Sequence, residues 1–114
     1  MLIKKEDTHK KENSPSCIVW EYDFPNKELG FAIAVMNWRY PETWKVVNHG
    51  CDEMYYVLEG TWTIYQESWT YKIKEGDCFL FEKEKRYRVE WSNLKIALPT
   101  APARSLEQYE QVND

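Results

Sequence analysis

The sequence predicts an all-β fold, a sandwich or barrel, on three observations. Short runs of β-branched and aromatic residues recur at regular spacing, each bounded by Gly, Pro, Asn or a charged cluster. No amphipathic helices alternate with these runs, which counts against a parallel α/β sheet. The aromatic share is 16%, with six Trp and eight Tyr, and large flat side chains at that density suit pleated strands and apolar pocket walls.

The elements follow in order. Residues 1–16 are polar, lack an apolar period and end in Ser14-Pro15-Ser16; they read as a tail or arm, with His9 exposed and without a role. Residues 17–114 read as one domain. Cys17 to Tyr22 is the first strand, and Asp23-Phe24-Pro25-Asn26-Lys27 a turn. Gly30 to Tyr40 is a long strand stopped by Pro41, which has no N–H for a ladder. Residues 44–49 and 53–59 are short strands loosened by Gly50 between them. After the Glu59-Gly60 corner come Thr61 to Gln66 and Trp69 to Lys74, the latter alternating apolar and polar. Glu75-Gly76-Asp77 is a turn, Cys78 to Phe81 a continuous apolar run, and residues 82–86 a charged loop. Tyr87 to Trp91 and Leu94 to Leu98 complete the set, about nine strands in all. Only the end reads as helical: Ser105 with Gln108 fits a capping box, placing Leu106, Tyr109 and Val112 on one face.

With 114 residues and ordinary hydrophobic and charged fractions of 43% and 30%, the chain has the composition of one folded domain. A net charge of −4, with basic residues interleaved among acids, excludes nucleic acid as an expected partner. No signal-peptide pattern opens the sequence, and no apolar run nears the about 20 residues a membrane helix needs. Three cysteines, Cys17, Cys51 and Cys78, cannot all pair within one chain. A cytoplasmic protein with reduced thiols and no membrane partner is the simplest expectation.

Two segments carry chemistry, PETWKVVNHGCDEMYYVLEG at 41–60 and GDCFLFEKEKRYRVEW at 76–91. Here the sequence resembles the cupin superfamily. With Gly60 closing the first cupin motif, Glu53 falls on the motif glutamate, His49 on its second histidine, Val47 on its first histidine and Pro41 on its opening glycine. In the second motif Gly76 fits the start, Tyr87 takes the histidine position and Trp91 the asparagine position, and the spacer 61–75 is as short as the superfamily uses. The resemblance covers about residues 30–98. It implies a double-stranded β-helix, a jelly-roll-like barrel, and a homodimer, since cupins often pair by strand exchange or sheet packing.

Cupin metal sites use three histidines and one glutamate, so the resemblance makes His49 and Glu53 the candidate metal ligands. Residues two apart on a strand share a face, so His49, Cys51 and Glu53 all look inward if no bulge intervenes. The third ligand would have to be Cys51 or a Tyr87 phenolate, for zinc, iron, manganese or nickel. Without metal, His49, Glu53 and Tyr87 still form a candidate acid–base set. Trp38, Tyr40, Trp44, Asn48, Tyr55 and Arg88 are the candidate ligand-binding residues, aromatic walls with a few polar tips. Three functions follow. One is a barrel that binds a small polar metabolite, a sugar or carboxylate. Another is a metal-dependent isomerase, dioxygenase or decarboxylase with a reduced ligand set. The last is a non-catalytic dimeric sensor or scaffold.

Overall fold

The computed structural model describes residues 1–113, with the side chains of Trp91, Ser92 and Leu106 outside the described set. Nine strands carry the chain: β1 (His9–Ser14), β2 (Cys17–Tyr22), β3 (Gly30–Tyr40), β4 (Lys45–Asn48), β5 (Asp52–Gln66), β6 (Trp69–Ile73), β7 (Cys78–Phe81), β8 (Tyr87–Ala101) and β9 (Tyr109–Val112). All their pairings are antiparallel, in the order β1-β2-β3-β8-β4-β9, with β5 bonded to β6, β7 and β8.

The two long strands close the barrel. Each joins two runs that the sequence separates, and each bends where the runs meet. Gly60 lies at φ +94°, and a Cβ there would stand 2.6 Å from the carbonyl oxygen of Asn93 on β8. Only glycine accepts both the left-handed backbone and that approach. The β5–β8 register shifts at this point, between Val57 and Thr61, so one continuous strand serves both halves of the fold. Gly76, at φ +86°, turns the chain from β6 into β7.

Alternation fills the interior. Within each run the buried residues stand two apart: Cys17 and Val19, then Ala32, Ala34 and Met36, then Tyr55 and Val57, Trp62 and Ile64, Tyr87 and Val89, and last Leu94, Ile96 and Leu98. Tyr55 stacks on Trp62 at 5.2 Å, and Phe81 lies 4.5 Å from Tyr55 and 4.3 Å from Tyr87. Ring pairs of this kind add about 0.5–1.5 kcal/mol each beyond their buried area. Much of the aromatic excess is therefore core.

Both chain ends differ from expectation. The polar segment at 1–16 supplies a 3-10 turn, Lys5–Asp7, and the edge strand β1 on β2. The expected C-terminal helix is a single 3-10 turn, Leu106–Gln108, followed by β9 on β4. Half of the expected capping box does form: the Ser105 N–H donates to Gln108 Oε1 at 3.0 Å. Gln108 Nε2 also donates to the Ala103 carbonyl at 3.2 Å, which ties the turn tight instead of starting a helix. A free edge at β4 then captures the next four residues, whose ladder bonds replace the helical ones.

Candidate functional site

The site is built around Glu53, on the inward face of β5 and fully buried. Asn48 closes β4 beside it. Its Oδ1 accepts the N–H groups of Gly50 and Cys51 at 2.7 and 2.8 Å, while its Nδ2 donates to Glu53 Oε1 at 3.0 Å and to Cys51 Sγ at 3.2 Å. One side chain thus makes the bend and supports the acid.

That bend removes His49 from the interior. Residues 49–51 are not strand, so the two-residue alternation assumed between His49 and Glu53 fails and Asn48 takes the inward place. The His49 ring is 45% exposed and lies between two carboxylates, Glu84 at 3.0 Å from Nδ1 and Glu110 at 2.8 Å from Nε2. The hydrogen bonds to Glu110 and Glu84 raise its pKa and favour the doubly protonated ring. His49 ties the 82–86 loop to β9 and does not meet Glu53.

Arg104 and Tyr109 come to the site from the C-terminal segment, and both escaped the sequence reading. The Tyr109 hydroxyl donates to Glu53 Oε1 at 2.5 Å. Arg104 lies over the Tyr109 ring at 5.5 Å, and its charge reaches Glu53. Burial pushes the Glu53 carboxyl above the usual carboxylate range, against the pull of Tyr109, Arg104 and Asn48. Tyr87 and Tyr55, both buried, complete the cluster; burial first, then the Glu53 charge, lifts each phenol well above its ordinary value. Tyr40 packs against the same core, and burial raises its phenol too. In this environment the phenols hold their protons and can donate them in hydrogen bonds.

The other candidates stand elsewhere. Trp38 and Trp44 are 63% and 52% exposed, both at positive φ on the strand end and loop around Pro41. Arg88 lies on the outer surface, 2.7 Å from Glu90 and 3.8 Å over the Tyr65 ring. The structure brings together Glu53, Asn48, Tyr55, Tyr87 and Tyr40, and leaves out His49, Trp38, Trp44 and Arg88.

The donor set does not fit the expected metal. Val47 carries no donor, His49 faces outward between Glu84 and Glu110, and the buried Cys51 Sγ is taken up by the Asn48 amide at 3.2 Å. Among the described residues no group of three or more His, Cys, Asp and Glu is placed to hold an ion.

Two open clefts flank the C-terminal segment. One, of about 520 Å³, has Thr100 and Arg104 at its floor, with Lys11, Glu21, Tyr22 and Phe31 along it. The other, of about 510 Å³, reaches Tyr40 and Tyr109. Thr100 pairs with Glu53 across β8 and β5, so the first cleft's floor is the acid's own wall. Glu53 Oε2, Thr100 Oγ1 and Arg104 Nη2 are buried here without a hydrogen bond among the described residues, and Arg104 Nη2 has only an ion pair with Glu21 Oε1 at 3.9 Å. Buried polar atoms of this kind are usually satisfied by protein or water, and their grouping makes this the candidate site.

No protein-family model matches the chain, and no curated protein sequence does. Solved structures do. Streptomyces PAC13 with uridine superposes with a TM-score of 0.86 at 15% identity, over 99% of this chain and 90% of that one. The fold is the cupin barrel. Pac13 is described as a nucleoside dehydratase. Ectoine synthase from P. lautus matches this chain with a TM-score of 0.75 at 12% identity, over 98% of this chain and 90% of its own. Bacillus subtilis oxalate decarboxylase matches at 0.79 and 13% over 96% of this chain and 31% of its own. No described helix is long and apolar enough to cross a membrane.

Proposed function

We propose that this cupin barrel binds a small carboxylate-bearing polar metabolite against Arg104 and uses Glu53 as its proton-transfer group. The carrying observation is Arg104, which lines the 520 Å³ cleft beside Thr100 and whose charge reaches the buried Glu53–Tyr109 pair behind the Thr100 wall; Thr100 Oγ1 makes no hydrogen bond, and Arg104 Nη2 only an ion pair of 3.9 Å with Glu21. A guanidinium whose Nη2 makes no hydrogen bond and faces Glu21 only at 3.9 Å, beside a hydroxyl, is suited to a carboxylate, which accepts from both. The tilted ring pair Tyr22 and Phe31, 5.6 Å apart, gives the cleft an apolar wall for the rest of the molecule.

The chemistry follows from protonation. An acid raised by burial holds its proton closer to neutrality, so Glu53 can give it to a leaving oxygen or, once ionised, take one from carbon. Tyr109 donates to Oε1, which stabilises the ionised form and leaves Oε2 as the working oxygen. Proton removal and dehydration need that pair of abilities, and the fold's presence in a nucleoside dehydratase supports the reading. The uridine in that neighbour favours a second reading, a neutral nucleoside against the Tyr22–Phe31 wall.

Calorimetric titration with hydroxy acids, uronates, neutral sugars and nucleosides tests the proposal. A carboxylate ligand should bind. Arg104→Gln should weaken it at least ~30-fold, from the loss of about 2 kcal/mol or more in a charged hydrogen-bonded contact. Glu53→Gln should keep binding and lose turnover. Binding only by uncharged nucleosides, or carboxylate binding indifferent to Arg104→Gln, overturns it.

A further inference from the structure

The cleft that holds Arg104 continues past it. Beside it lies a groove of about 400 Å³, and Phe24, Leu29, Gly30 and Phe31 line both spaces. Pro25 and Pro99 extend the groove's apolar wall. Its one polar side chain is Asn26, whose Oδ1 already accepts the Glu28 N–H at 2.9 Å. Leu29 is 64% and Phe31 39% exposed, so these walls stand open to water. The two spaces meet where β3 begins. Gly30 pairs with Thr100 and Phe31 with Pro99, so the cleft floor and a groove wall are one residue apart, about 3.4 Å, on the same two strands. A Cβ on Gly30 would stand 2.3 Å from Thr100 Oγ1; without one, the passage beside that hydroxyl stays clear. The Ala103 N–H donates to the Lys27 carbonyl at 2.9 Å, which fastens the 23–29 turn to the segment carrying Arg104.

From this continuity we infer that the groove is a second subsite, which takes the apolar end of the carboxylate that Arg104 holds. The ligand class is then a hydroxy acid with an alkyl or aryl chain, which rests on the carboxylate seat at Arg104 and Thr100 and narrows it. Charge separates the two ends. At the seat stand Lys11, Glu21 and Arg104, with Glu21 Oε1 at 2.9 Å from Lys11 and 3.9 Å from Arg104. On the turn, Asp23 and Lys27 are paired with each other at 2.7 Å, and no charged side chain lines the groove. A polyhydroxylated chain would lose water there with little to bond in exchange, whereas a methylene gains by leaving water. Small-molecule sites combine a few polar anchors with apolar walls in this way. The bond between Ala103 and Lys27 fixes the separation of the two subsites, so the length of the ligand's chain is what the site reads.

Calorimetric titration of the full chain with α-hydroxy acids of increasing chain length, from lactate upward, tests the subsite against the matching straight-chain alcohols. Wild-type affinity for the acids should rise about threefold per methylene until the groove is filled. Leu29→Gln and Phe24→Gln, confirmed folded by circular dichroism, should each remove most of that rise. Arg104→Gln should weaken every acid by a similar factor and keep the rise, which separates head from tail. Wild-type affinity that does not change with chain length overturns the second subsite. Lactate still bound through Arg104 would then leave the carboxylate reading standing, while no acid bound at all overturns both. A rise retained by both Leu29→Gln and Phe24→Gln places the chain elsewhere and overturns the subsite, as do alcohols that bind as tightly as the acids. So does a rise that fades with increasing protein concentration, because a second copy would then hold the groove.

Discussion

At the scale of single residues, the balance at Glu53 is between burial and three stabilising neighbours, and burial prevails. The sign of the resulting pH dependence is fixed. The unfolded chain releases this proton near the ordinary glutamate value of about 4.3. The folded protein holds it to higher pH. The carboxyl's contribution to stability is therefore fully present below the unfolded value and is lost as pH rises through the raised folded value. Glu53→Gln keeps the shape and stays neutral, so its melting curve should lack that loss. Near pH 8 the variant should equal or exceed the wild type, by on the order of 1–3 kcal/mol, the cost of an unmade bond to a buried polar group. Parallel pH–stability profiles between pH 4 and 8 would remove the claim that the acid is desolvated. Glu53 itself was legible in the sequence, because the spacing to Gly60 places it. His49 was legible as a residue and misplaced in space, since its direction depends on whether 49–51 continue the strand, and Asn48 decides that through two bonds to backbone N–H groups. Arg104 and Tyr109 were not legible. Their relation to Glu53 spans about half the chain and carries no local signature.

Strands and corners obey shorter-range rules, and most were readable. Cys17–Tyr22, Gly30–Tyr40 and Cys78–Phe81 match their expected limits because alternation and flanking Gly or Pro define them locally. The end of the chain did not match. Leu106, Tyr109 and Val112 fit a helical face as well as a short strand, and only the free edge of β4, distant in sequence, selects the strand. The two corner glycines show how tertiary approach separates positions that look alike locally. Both have positive φ, yet a Cβ at Gly60 meets the Asn93 carbonyl at 2.6 Å, while one at Gly76 meets nothing within 4 Å. Gly76→Ala should cost about 1 kcal/mol, the left-handed backbone alone. Gly60→Ala adds a clash between two long paired strands that cannot part cheaply, and should cost about 3 kcal/mol. Urea unfolding with unchanged slope reads the difference. Equal losses would mean that the β5–β8 crossing yields easily, against the account of the barrel's closure.

The molecule as a whole combines a buried polar cluster at its C-terminal side with an apolar outer sheet face, on which Val35, Met54, Tyr56, Leu58 and Leu80 are each 38–47% exposed. These features place opposite demands on stability. The cluster at Glu53 gives some up, since an elevated acid and several unpartnered polar atoms are kept inside the barrel. The apolar sheet face recovers stability only when covered. If a second copy covers it, folding and association are one equilibrium, and the melting temperature must depend on chain concentration. A hundredfold rise in concentration above the dissociation constant adds about 2.7 kcal/mol per mole of dimer. For a chain of this length that amounts to several degrees. Scanning calorimetry from low to high micromolar concentration should show this rise for the wild type and a flat line for Val35→Glu. The comparison is informative because the substitution is exposed and distant from Glu53, so it removes the association and leaves the buried cluster intact. A wild-type melting temperature independent of concentration would leave the apolar face uncovered in solution, and the stability lost at Glu53 would have to be recovered within the single barrel.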